Sequence, residues 1–351
     1  MADERPSLYD LDLPQLEALF RRWGEPKYRA RQLWTWLYRR LATDFEQMTD
    51  LPKRLRARLA EETRLYVPTV LSTLESLDGE TRKDLLLLED GEQVEVVLMR
   101  YIERRSACLS TQVGCAMGCK FCATGQMGFV RNLSSGEIIA QALHVQRQLQ
   151  AQGRHLTNVV LMGMGEPLVN YENTLAAVRR MIHPQGMKLG QRRITLSTAG
   201  IVPGIYRLAE EGLQITLAVS LHAATDALRS ELMPINRRYP LDKLFAAVRA
   251  YILRTKRRVT FEWVLIEGVN DTPAQAEALA RRLRGMLAHV NLIPLNPTEG
   301  FAGRPSTPES IERFVGVLEA HNVPYTLRLR RGGDIQAGCG QLRRRQLAQG
   351  M

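Results

Sequence analysis

Cysteine and aromatic residues are scarce in this sequence, and long apolar runs are missing. Five of the 351 residues are cysteine and 6% are aromatic, while 45% are hydrophobic in all. No window approaches the roughly eighteen consecutive apolar residues of a membrane-spanning helix. The first residues, MADERPSLYDLDL, are acidic where a signal peptide is basic and then apolar. These absences predict a cytoplasmic protein, in which a disulfide is more often catalytic than structural.

Acidic residues are outnumbered by basic ones, and the excess is uneven. The chain has 48 Lys and Arg against 37 Asp and Glu, a formal net charge of +11. Residues 21–58 alone contain eleven basic and four acidic residues, so this segment contributes +7. Such an excess favours a polyanionic partner bound through its phosphates, although charge runs are also typical of solvated helix faces. Both interpretations stay open.

Hydrophobic periodicity divides the chain into three parts. Residues 1–100 combine helical segments with short β-like runs, which predicts a small α+β accessory domain. Residues 101–332 alternate apolar strands with amphipathic helices, which predicts an α/β fold with a parallel sheet curved into a partial barrel of six strand–helix units. Residues 333–351 form a polar tail. The predicted helices are 13–23, 28–42, 51–62, 134–152, 170–183, 203–212, 240–254, 272–287 and 307–321, and the predicted strands are 68–75, 84–89, 93–99, 107–113, 158–163, 193–198, 215–221, 258–266, 289–294 and 325–331.

Three of the five cysteines lie within nine residues, GCAMGCKFC at 114–122. Cys115, Cys119 and Cys122 have the spacing C-x3-C-x2-C and follow the first predicted strand of the main domain. Structural zinc takes four nitrogen or sulfur ligands, so zinc here would need Cys108 or a distant residue as well. Three thiolates on one loop also match a four-iron cluster that leaves one iron open for a substrate. Spacing alone leaves both possibilities open.

Polar or glycine-rich residues follow several other predicted strands. Ligands of parallel α/β folds bind outside the carboxyl ends of the strands, where all of these residues would meet. The candidates are Gly163, Gly165 and Glu166 after the second strand, Ser197 at the end of the third, Ser220 and His222 at the end of the fourth, and Asn296 after the sixth.

The cysteine motif, read as C-x3-C-x-aromatic-C, resembles the signature of the radical S-adenosylmethionine (SAM) superfamily. MGMGEP at 162–167 is similar to the glycine-rich element with which that superfamily holds the methionine end of SAM. The resemblance implies that Cys115, Cys119 and Cys122 bind one [4Fe–4S] cluster. It also implies that SAM is bound by Phe121, Gly165, Glu166, Ser197, Ser220, Leu221, His222 and Asn296.

Longer segments narrow the resemblance to one family within that superfamily. CLSTQVGCAMGCKFCATGQMGFVRNL, MGMGEPL, RRITLSTAG, SLHAATDALR, LIPLNP and the tail RRGGDIQAGCGQL look like the RlmN-type adenine C2-methyltransferases of 23S ribosomal RNA. YRARQLWTWLY and FEQMTDLPKRLR resemble that family's accessory domain, so nearly the whole chain is covered. The resemblance implies methylation of adenine 2503, in some members also of tRNA adenine 37. It further implies a flavodoxin-type electron donor and a monomer.

The resemblance also implies a catalytic role for each of the two remaining cysteines, and a reaction that consumes two SAM molecules per turnover. The first SAM methylates Cys339, and a 5′-deoxyadenosyl radical from the second takes hydrogen from that S-methyl group, so that a methylene radical adds to C2. Glu95 would accept the C2 proton, and Cys108 would attack the Cys339 sulfur, forming a transient disulfide that frees the product. Without the resemblance, Glu95 is a polar residue on a half-buried strand, and the two cysteines are inert thiols.

Three alternatives remain open from the sequence. The related C8-methylating resistance enzymes share the cluster and both partner cysteines. Another radical SAM enzyme, such as a glycyl-radical activase, would need neither the tail cysteine nor a basic accessory domain. A non-enzymatic zinc and RNA-binding module would leave the residues at the strand ends unexplained. The basic accessory region and Arg343–Arg345 are candidate contacts to RNA phosphates, or solubilising charge.

Overall fold

A computed structural model describes residues 5–328 and 340–343 of the chain, and a ten-stranded sheet organises them. A separate two-stranded sheet carries the cysteine loop between its strands. The strands are β1 Thr69–Glu75, β2 Thr81–Leu87, β3 Gln93–Arg100, β4 Arg105–Cys108, β5 Gln112–Gly114, β6 Phe129–Asn132, β7 Asn158–Leu161, β8 Ile194–Thr198, β9 Thr216–Ser220, β10 Val259–Leu265, β11 Ala288–Pro294 and β12 Tyr325–Leu327.

The large sheet has an antiparallel part and a parallel part that meet at β4. Its order is β1-β2-β3-β4-β7-β8-β9-β10-β11-β12. Pairing is antiparallel from β1 to β4 and parallel from β4 to β12. The predicted α/β fold is therefore confirmed. Strands β4 and β7 to β11 are the six predicted parallel strands, and β12 adds a seventh at one edge. Since β1 and β12 are edge strands, the described sheet is open.

Helices connect the successive parallel strands and form most of the accessory region. None of the described helices is long and apolar enough to cross a membrane. The helices are α1 Leu13–Arg22, α2 Lys27–Thr35, α3 Lys53–Glu62, α4 Ala123–Gln126, α5 Ser135–Gln150, α6 Tyr171–Ile182, α7 Val202–Glu210, α8 Asp226–Leu232, α9 Leu241–Thr255, α10 Pro273–Leu283 and α11 Pro308–Ala320, and a five-residue π-helical turn, Trp36–Arg40, extends α2.

The accessory helices and the parallel strands share one apolar core. Buried residues such as Phe20 and Trp34 belong to the same hydrophobic cluster as Val159 and Leu196 on the central strands. Asp10 reinforces this contact, because its carboxylate accepts the Gly136 amide at 2.6 Å and the Ser135 hydroxyl at 2.9 Å at the start of α5. The negative charge there also complements the helix dipole. The accessory region is therefore packed firmly against the main sheet.

The strand predicted at 107–113 is interrupted, and the interruption creates the cysteine loop. The chain leaves the large sheet after Cys108 and enters β5, which pairs with β6 instead. Ser110 lies between β4 and β5, and the Gln141 side chain makes hydrogen bonds with both of its backbone groups. It accepts the Ser110 N–H at 2.8 Å and donates to the Ser110 carbonyl at 3.0 Å. A side chain from α5 thus replaces the sheet hydrogen bonds at the break, which a local hydrophobic pattern does not reveal.

Candidate active site

A cavity of about 300 Å³ opens at the carboxyl ends of the parallel strands. Parallel α/β folds bind their ligands at this edge, and a volume of this size is sufficient for a small ligand. Eleven of the residues proposed from the sequence line it: Cys115, Cys119, Phe121, Cys122, Gly163, Gly165, Glu166, Ser197, Ser220, His222 and Asn296. The structure therefore brings together side chains that are spread over more than half of the sequence.

The cysteine loop begins at a glycine that no other residue could replace without distortion. Gly114 at the end of β5 has φ +74°, and a Cβ there would overlap the carbonyl oxygen of Gly128 next to β6. The Cys115 amide donates to that carbonyl at 2.7 Å, and the Cys122 amide donates to the Cys119 carbonyl at 3.2 Å. These contacts close residues 115–127 into a compact loop above the cavity.

Burial controls the protonation of the loop thiols. It raises the pKa of Cys115 to about 12 and holds the pKa of Cys119 well above its usual value. Buried thiols therefore keep their protons unless a bound cation replaces them, as iron does when it binds thiolate. The loop thus has the chemistry of a metal-binding site.

The three thiols fit a cluster better than a single ion. Within residues 5–328 and 340–343, no three Cys, His, Asp or Glu side chains are placed to hold one metal ion. In a four-iron cubane each thiolate binds a different iron, so the sulfurs need not converge on one point. Cys108, the fourth ligand that zinc would require, is buried in β4 and does not line the cavity.

The glycines of MGMGEP allow this loop to pack against the neighbouring segment. A Cβ at Gly163 would lie 2.7 Å from the Leu109 carbonyl, and a Cβ at Gly165 would lie 2.6 Å from the Gln112 side chain. Gly165 also has φ +103°, a conformation that other residues rarely adopt. Both glycines are therefore required by the fold of this edge, in addition to any contact with a ligand.

Glu166 is a buried carboxyl group whose acidity is weakened by its surroundings. Burial raises its pKa to about 7, against the effect of hydrogen bonds from two backbone amides. The amides of Leu168 and Ala199 donate to its two oxygens at 3.0 and 2.6 Å. A carboxylate has about four acceptor positions, so Glu166 keeps capacity for one more donor from the cavity.

His222 is a neutral imidazole held on two sides. Burial, together with the positive charge of Arg229, lowers its pKa to about 3. Its Nδ1 accepts the Val264 amide at 3.0 Å, and the Phe121 ring packs edge-on against it with centroids 4.8 Å apart. Phe121 therefore joins the cysteine loop to the end of β9. Leu221 is fully buried beside His222 and does not line the cavity.

Arg229 was missed by the sequence analysis, although it supports this whole edge. Its guanidinium is fully buried and donates to the carbonyls of Ala199, Ser220 and Leu221 at 2.7, 3.0 and 3.1 Å. A further bond at 2.9 Å reaches the side-chain oxygen of Asn236. The quoted segment SLHAATDALR ends at this residue, but the short helix α8 that presents it was not predicted.

Glu95 and Cys108 lie on one face of the antiparallel part of the sheet. Val97 pairs with Cys108, so their side chains lie on the same face of the sheet. Glu95 is two residues from Val97 on β3, and its side chain therefore lies on that face as well. Neither Glu95 nor Cys108 lines the cavity. Instead the buried Glu95 carboxylate accepts the Lys83 ammonium at 3.0 Å. The alternative interpretation of Glu95, a polar residue on the outer face of a half-buried strand, does not fit, because Glu95 is buried and Gly340 and Arg343 pack on it.

The part of the tail that the structure describes packs directly on Glu95. The backbone amides of Gly340 and Arg343 donate to its two oxygens, each at 2.9 Å. Cys339 itself lies outside the described residues, but its neighbour Gly340 is fixed beside Glu95. Arg343 is buried and pairs with Glu92 at 2.6 Å, so it cannot serve as the phosphate contact considered above.

Comparison with known proteins agrees with this arrangement. The model of the "Ribosomal RNA large subunit methyltransferase N-terminal domain" matches residues 7–65, and that of the "Radical SAM superfamily" matches residues 109–280. "Dual-specificity RNA methyltransferase RlmN 1" of Myxococcus xanthus is 55% identical over 342 residues, which cover 97% of this chain and 95% of that protein. "Probable dual-specificity RNA methyltransferase RlmN" of Chloroflexus aurantiacus is 51% identical, with 97% and 93% covered.

A solved structure extends the similarity to three dimensions. The crystal structure of a radical SAM methyltransferase from Sphaerobacter thermophilus superposes with a TM-score of 0.93 and 54% sequence identity, covering 96% of this chain and 98% of that one. The matches at the accessory helices, at the cysteine loop and over the full length all indicate the same group of enzymes. The chain belongs to the RlmN family of radical SAM RNA methyltransferases.

Proposed function

We propose that this enzyme methylates C2 of adenine 2503 in 23S ribosomal RNA, and also adenine 37 of some tRNAs, in the cytoplasm. The observation that carries this proposal is the face of β3 and β4 on which Glu95, Cys108 and the neighbour of Cys339 meet. A carboxylate, a thiol and the residue next to the tail cysteine on one face support a relay through the protein. The relatives' printed names, which give two classes of RNA substrate, support the dual specificity.

A radical SAM methyltransferase uses a [4Fe–4S] cluster and SAM. We assign the cluster to Cys115, Cys119 and Cys122, whose thiols share the cavity. When bound, cluster and SAM together supply the hydrogen-abstracting radical chemistry that a carbon without a nucleophilic lone pair requires. Glu166 would accept the SAM ammonium. We assign further contacts to Phe121, Gly165, Ser197, Ser220, His222 and Asn296, which line the cavity. The contact expected of Leu221 is not kept, because this residue is buried beside His222 and does not line the cavity.

The chain's own residues carry the methyl group and release the product. Cys339 receives a methyl group from a first SAM, so each turnover consumes two SAM molecules. After the new carbon–carbon bond forms, the adduct gives up its unpaired electron to the one-electron carrier that serves the site, and Glu95 takes the C2 proton. The Cys108 thiolate then attacks the Cys339 sulfur, the bond between that sulfur and the transferred carbon breaks, and this carbon takes up a proton to become the methyl group. The two sulfurs are left as a disulfide that a two-electron reductant must reopen.

The accessory region, for which we keep the bounds 1–100, would hold the RNA. Part of its charge is already paired within the protein: Arg56 with Glu46 at 2.8 Å, and Lys27 with Glu17 at 2.9 Å. Phosphate binding would therefore depend on the remaining exposed cations, and affinity should fall steeply with salt. Residues 101–332 are the catalytic core and 333–351 the methyl-carrying tail. We expect a monomer that receives electrons from a flavodoxin-type donor.

The test is an anaerobic reaction with defined RNA. Protein reconstituted with iron and sulfide receives SAM, a reductant and either unmodified 23S ribosomal RNA or unmodified tRNA. The RNA is digested to nucleosides, and mass spectrometry compares the product with 2-methyladenosine and 8-methyladenosine standards. We expect 2-methyladenosine from both RNAs, and none with the Cys339→Ala variant as control. An 8-methyladenosine product would overturn the C2 assignment, and a protein with stoichiometric zinc and no iron would overturn the enzyme itself.

A further inference from the structure

The Glu95 carboxylate is unusual because three donors from distant parts of the chain converge on it. Lys83 donates to Oε2 at 3.0 Å, Gly340 donates to the same oxygen at 2.9 Å, and Arg343 donates to Oε1 at 2.9 Å. Glu95 is 3% exposed and Lys83 is 0% exposed. Nothing in the proposed reaction uses Lys83, although burying an ammonium is costly unless it is paired.

The charge of Lys83 is what keeps this carboxylate available to the tail. Removing one partner of a buried ion pair is strongly destabilising, because the remaining charge is left uncompensated. Lys83 donates to Oε2, the same Glu95 oxygen that accepts the Gly340 amide, and Oε1 of this carboxylate accepts the Arg343 amide. Loss of Lys83 would therefore disturb the acceptor that both tail amides share, so that Lys83 acts on these amides through Glu95.

Close packing at Gly340 and an ion pair at Arg343 also hold residues 340–343 in place, in addition to their bonds with Glu95. Gly340 has φ +79°, and a Cβ there would lie 2.7 Å from the amide nitrogen of Thr124, just after the last cysteine of the loop. Gln341 donates to the Pro297 carbonyl at 2.9 Å and lines the cavity. Arg343 pairs with Glu92 at 2.6 Å. Residues 340–343 therefore lie between the cysteine loop and the face of the sheet that carries Cys108.

We propose that Lys83, Glu92 and Glu95 form a tail seat on which residues 340–343 dock, and that this docking positions the cysteine that directly precedes them in the sequence, Cys339. Lys83 is then a positioning residue for the methyl-carrying cysteine. The docking of residues 340–343 depends on the fold alone, whereas its consequence for methyl transfer rests on the proposed function. Hydrogen–deuterium exchange tests the docking, and a comparison of two partial reactions tests the consequence for methyl transfer.

The first readout is hydrogen–deuterium exchange of the tail peptide in reconstituted holoenzyme, measured by mass spectrometry. Lys83→Met should speed exchange of the 340–343 amides by about tenfold or more, because bonds to a charged acceptor are lost. Arg82→Met is the matched control, since Arg82 is the next residue of β2 and pairs with Asp84, so its tail exchange should equal that of the wild type. Unchanged tail exchange in Lys83→Met would overturn the seat.

Gly340→Ala tests the seat without touching its charges. The new Cβ should push the tail away from Thr124 and again speed exchange by about tenfold, because the positive φ adds strain. Gly316→Ala is the control, as a Cβ at Gly316 meets nothing within 4 Å. If Lys83→Met also speeds amide exchange in β2 and β3, its effect on the tail is not specific, and the exchange of the tail in Gly340→Ala then decides whether the seat exists. A tail that stays protected in Gly340→Ala contradicts the proposed docking.

The second readout compares two partial reactions. Lys83→Met should keep reductive SAM cleavage within about twofold, while methyl transfer to RNA falls by about tenfold or more, since only the carrier is misplaced. Equal losses in both reactions would mean that Lys83 has a merely structural role, and would overturn its positioning function. If the wild-type enzyme gives no methylated RNA, the proposed function fails, yet the exchange data still decide whether the seat exists.

Discussion

The two ends of the parallel strands both carry a cavity, and the cavities differ in kind. The one at the carboxyl ends, of about 300 Å³, is lined by cysteines and by buried polar side chains such as Glu166 and His222. The one at the amino ends, of about 570 Å³, is larger and is lined by exposed basic residues such as Arg39, Lys188 and Arg193. Among the described residues, its lining contains no cysteine and no carboxylate.

The difference teaches that the reactive side chains lie at the carboxyl ends of the parallel strands, and that the larger cavity volume at the amino ends does not mark the active site. Loops that leave the carboxyl ends place Glu166 and His222 on one edge, where burial changes the pKa of each. At the amino ends the cations reach into solvent, which screens them. The following changes test that contrast, beginning with the largest expected effect.

Loss of one loop thiol should abolish activity completely. Cys119→Ala removes one of three cluster ligands, so the reconstituted protein should lose nearly all of its cluster iron and its SAM cleavage. Iron analysis and visible absorption measure the first effect, and 5′-deoxyadenosine formation measures the second. Full iron content in this variant would show that the loop does not hold the cluster.

Cys108→Ala should stop turnover after the new bond to RNA has formed. Without the Cys108 thiolate, the adduct between Cys339 and the adenine cannot be resolved. Labelled RNA should therefore migrate with the protein on a denaturing gel, and the Cys108→Ala/Cys339→Ala double variant should show no such band. Normal turnover of Cys108→Ala would remove Cys108 from the mechanism.

Arg229→Met should destabilise the protein by about 3 kcal/mol, because several buried carbonyl groups lose their donor at once. Urea unfolding of the apoprotein measures the change. Arg254→Met is the control: its ion pair with Glu210 is exposed, and its loss should cost less than about 0.5 kcal/mol. Equal effects of the two changes would contradict the role assigned to Arg229.

SAM binding should depend on pH through Glu166. Because its pKa is raised to about 7, the carboxyl group is mostly neutral at pH 6 and gains its charge as pH rises. Only the charged form attracts the SAM ammonium, so affinity should increase by about fivefold from pH 6 to pH 7. Equilibrium dialysis with the holoenzyme measures this change, and Glu166→Gln should remove the dependence. A flat profile in the wild type would argue against this contact.

The smallest effect is expected at the opposite end of the strands. The Lys188→Ala/Arg193→Ala double variant changes exposed side chains away from the cysteine loop, so SAM cleavage should change by less than about twofold. A large loss of cleavage would show that the amino-end cavity takes part in the chemistry, and the contrast between the two ends would fail.

The sequence predicts those features that depend on local patterns. Apolar runs locate the parallel strands β7 to β11 to within about two residues, and the strand-end rule gathers Ser197, Ser220 and Asn296 at one cavity. Features made by distant partners are missed. Gln141 interrupts the predicted strand from 31 positions away, and Arg343 reaches Glu95 from 248 positions away. No local period encodes such contacts.

The shared core of the accessory helices and the parallel strands has a consequence for how RNA is handled. Trp34 and Val159 belong to one continuous apolar cluster, so the two parts cannot swing apart without exposing it to water. The described accessory helices therefore cannot close over a stacked base by a hinge motion. A base that is to be methylated would have to leave its stack and reach the protein, and its selection would depend on how little that rearrangement costs the RNA.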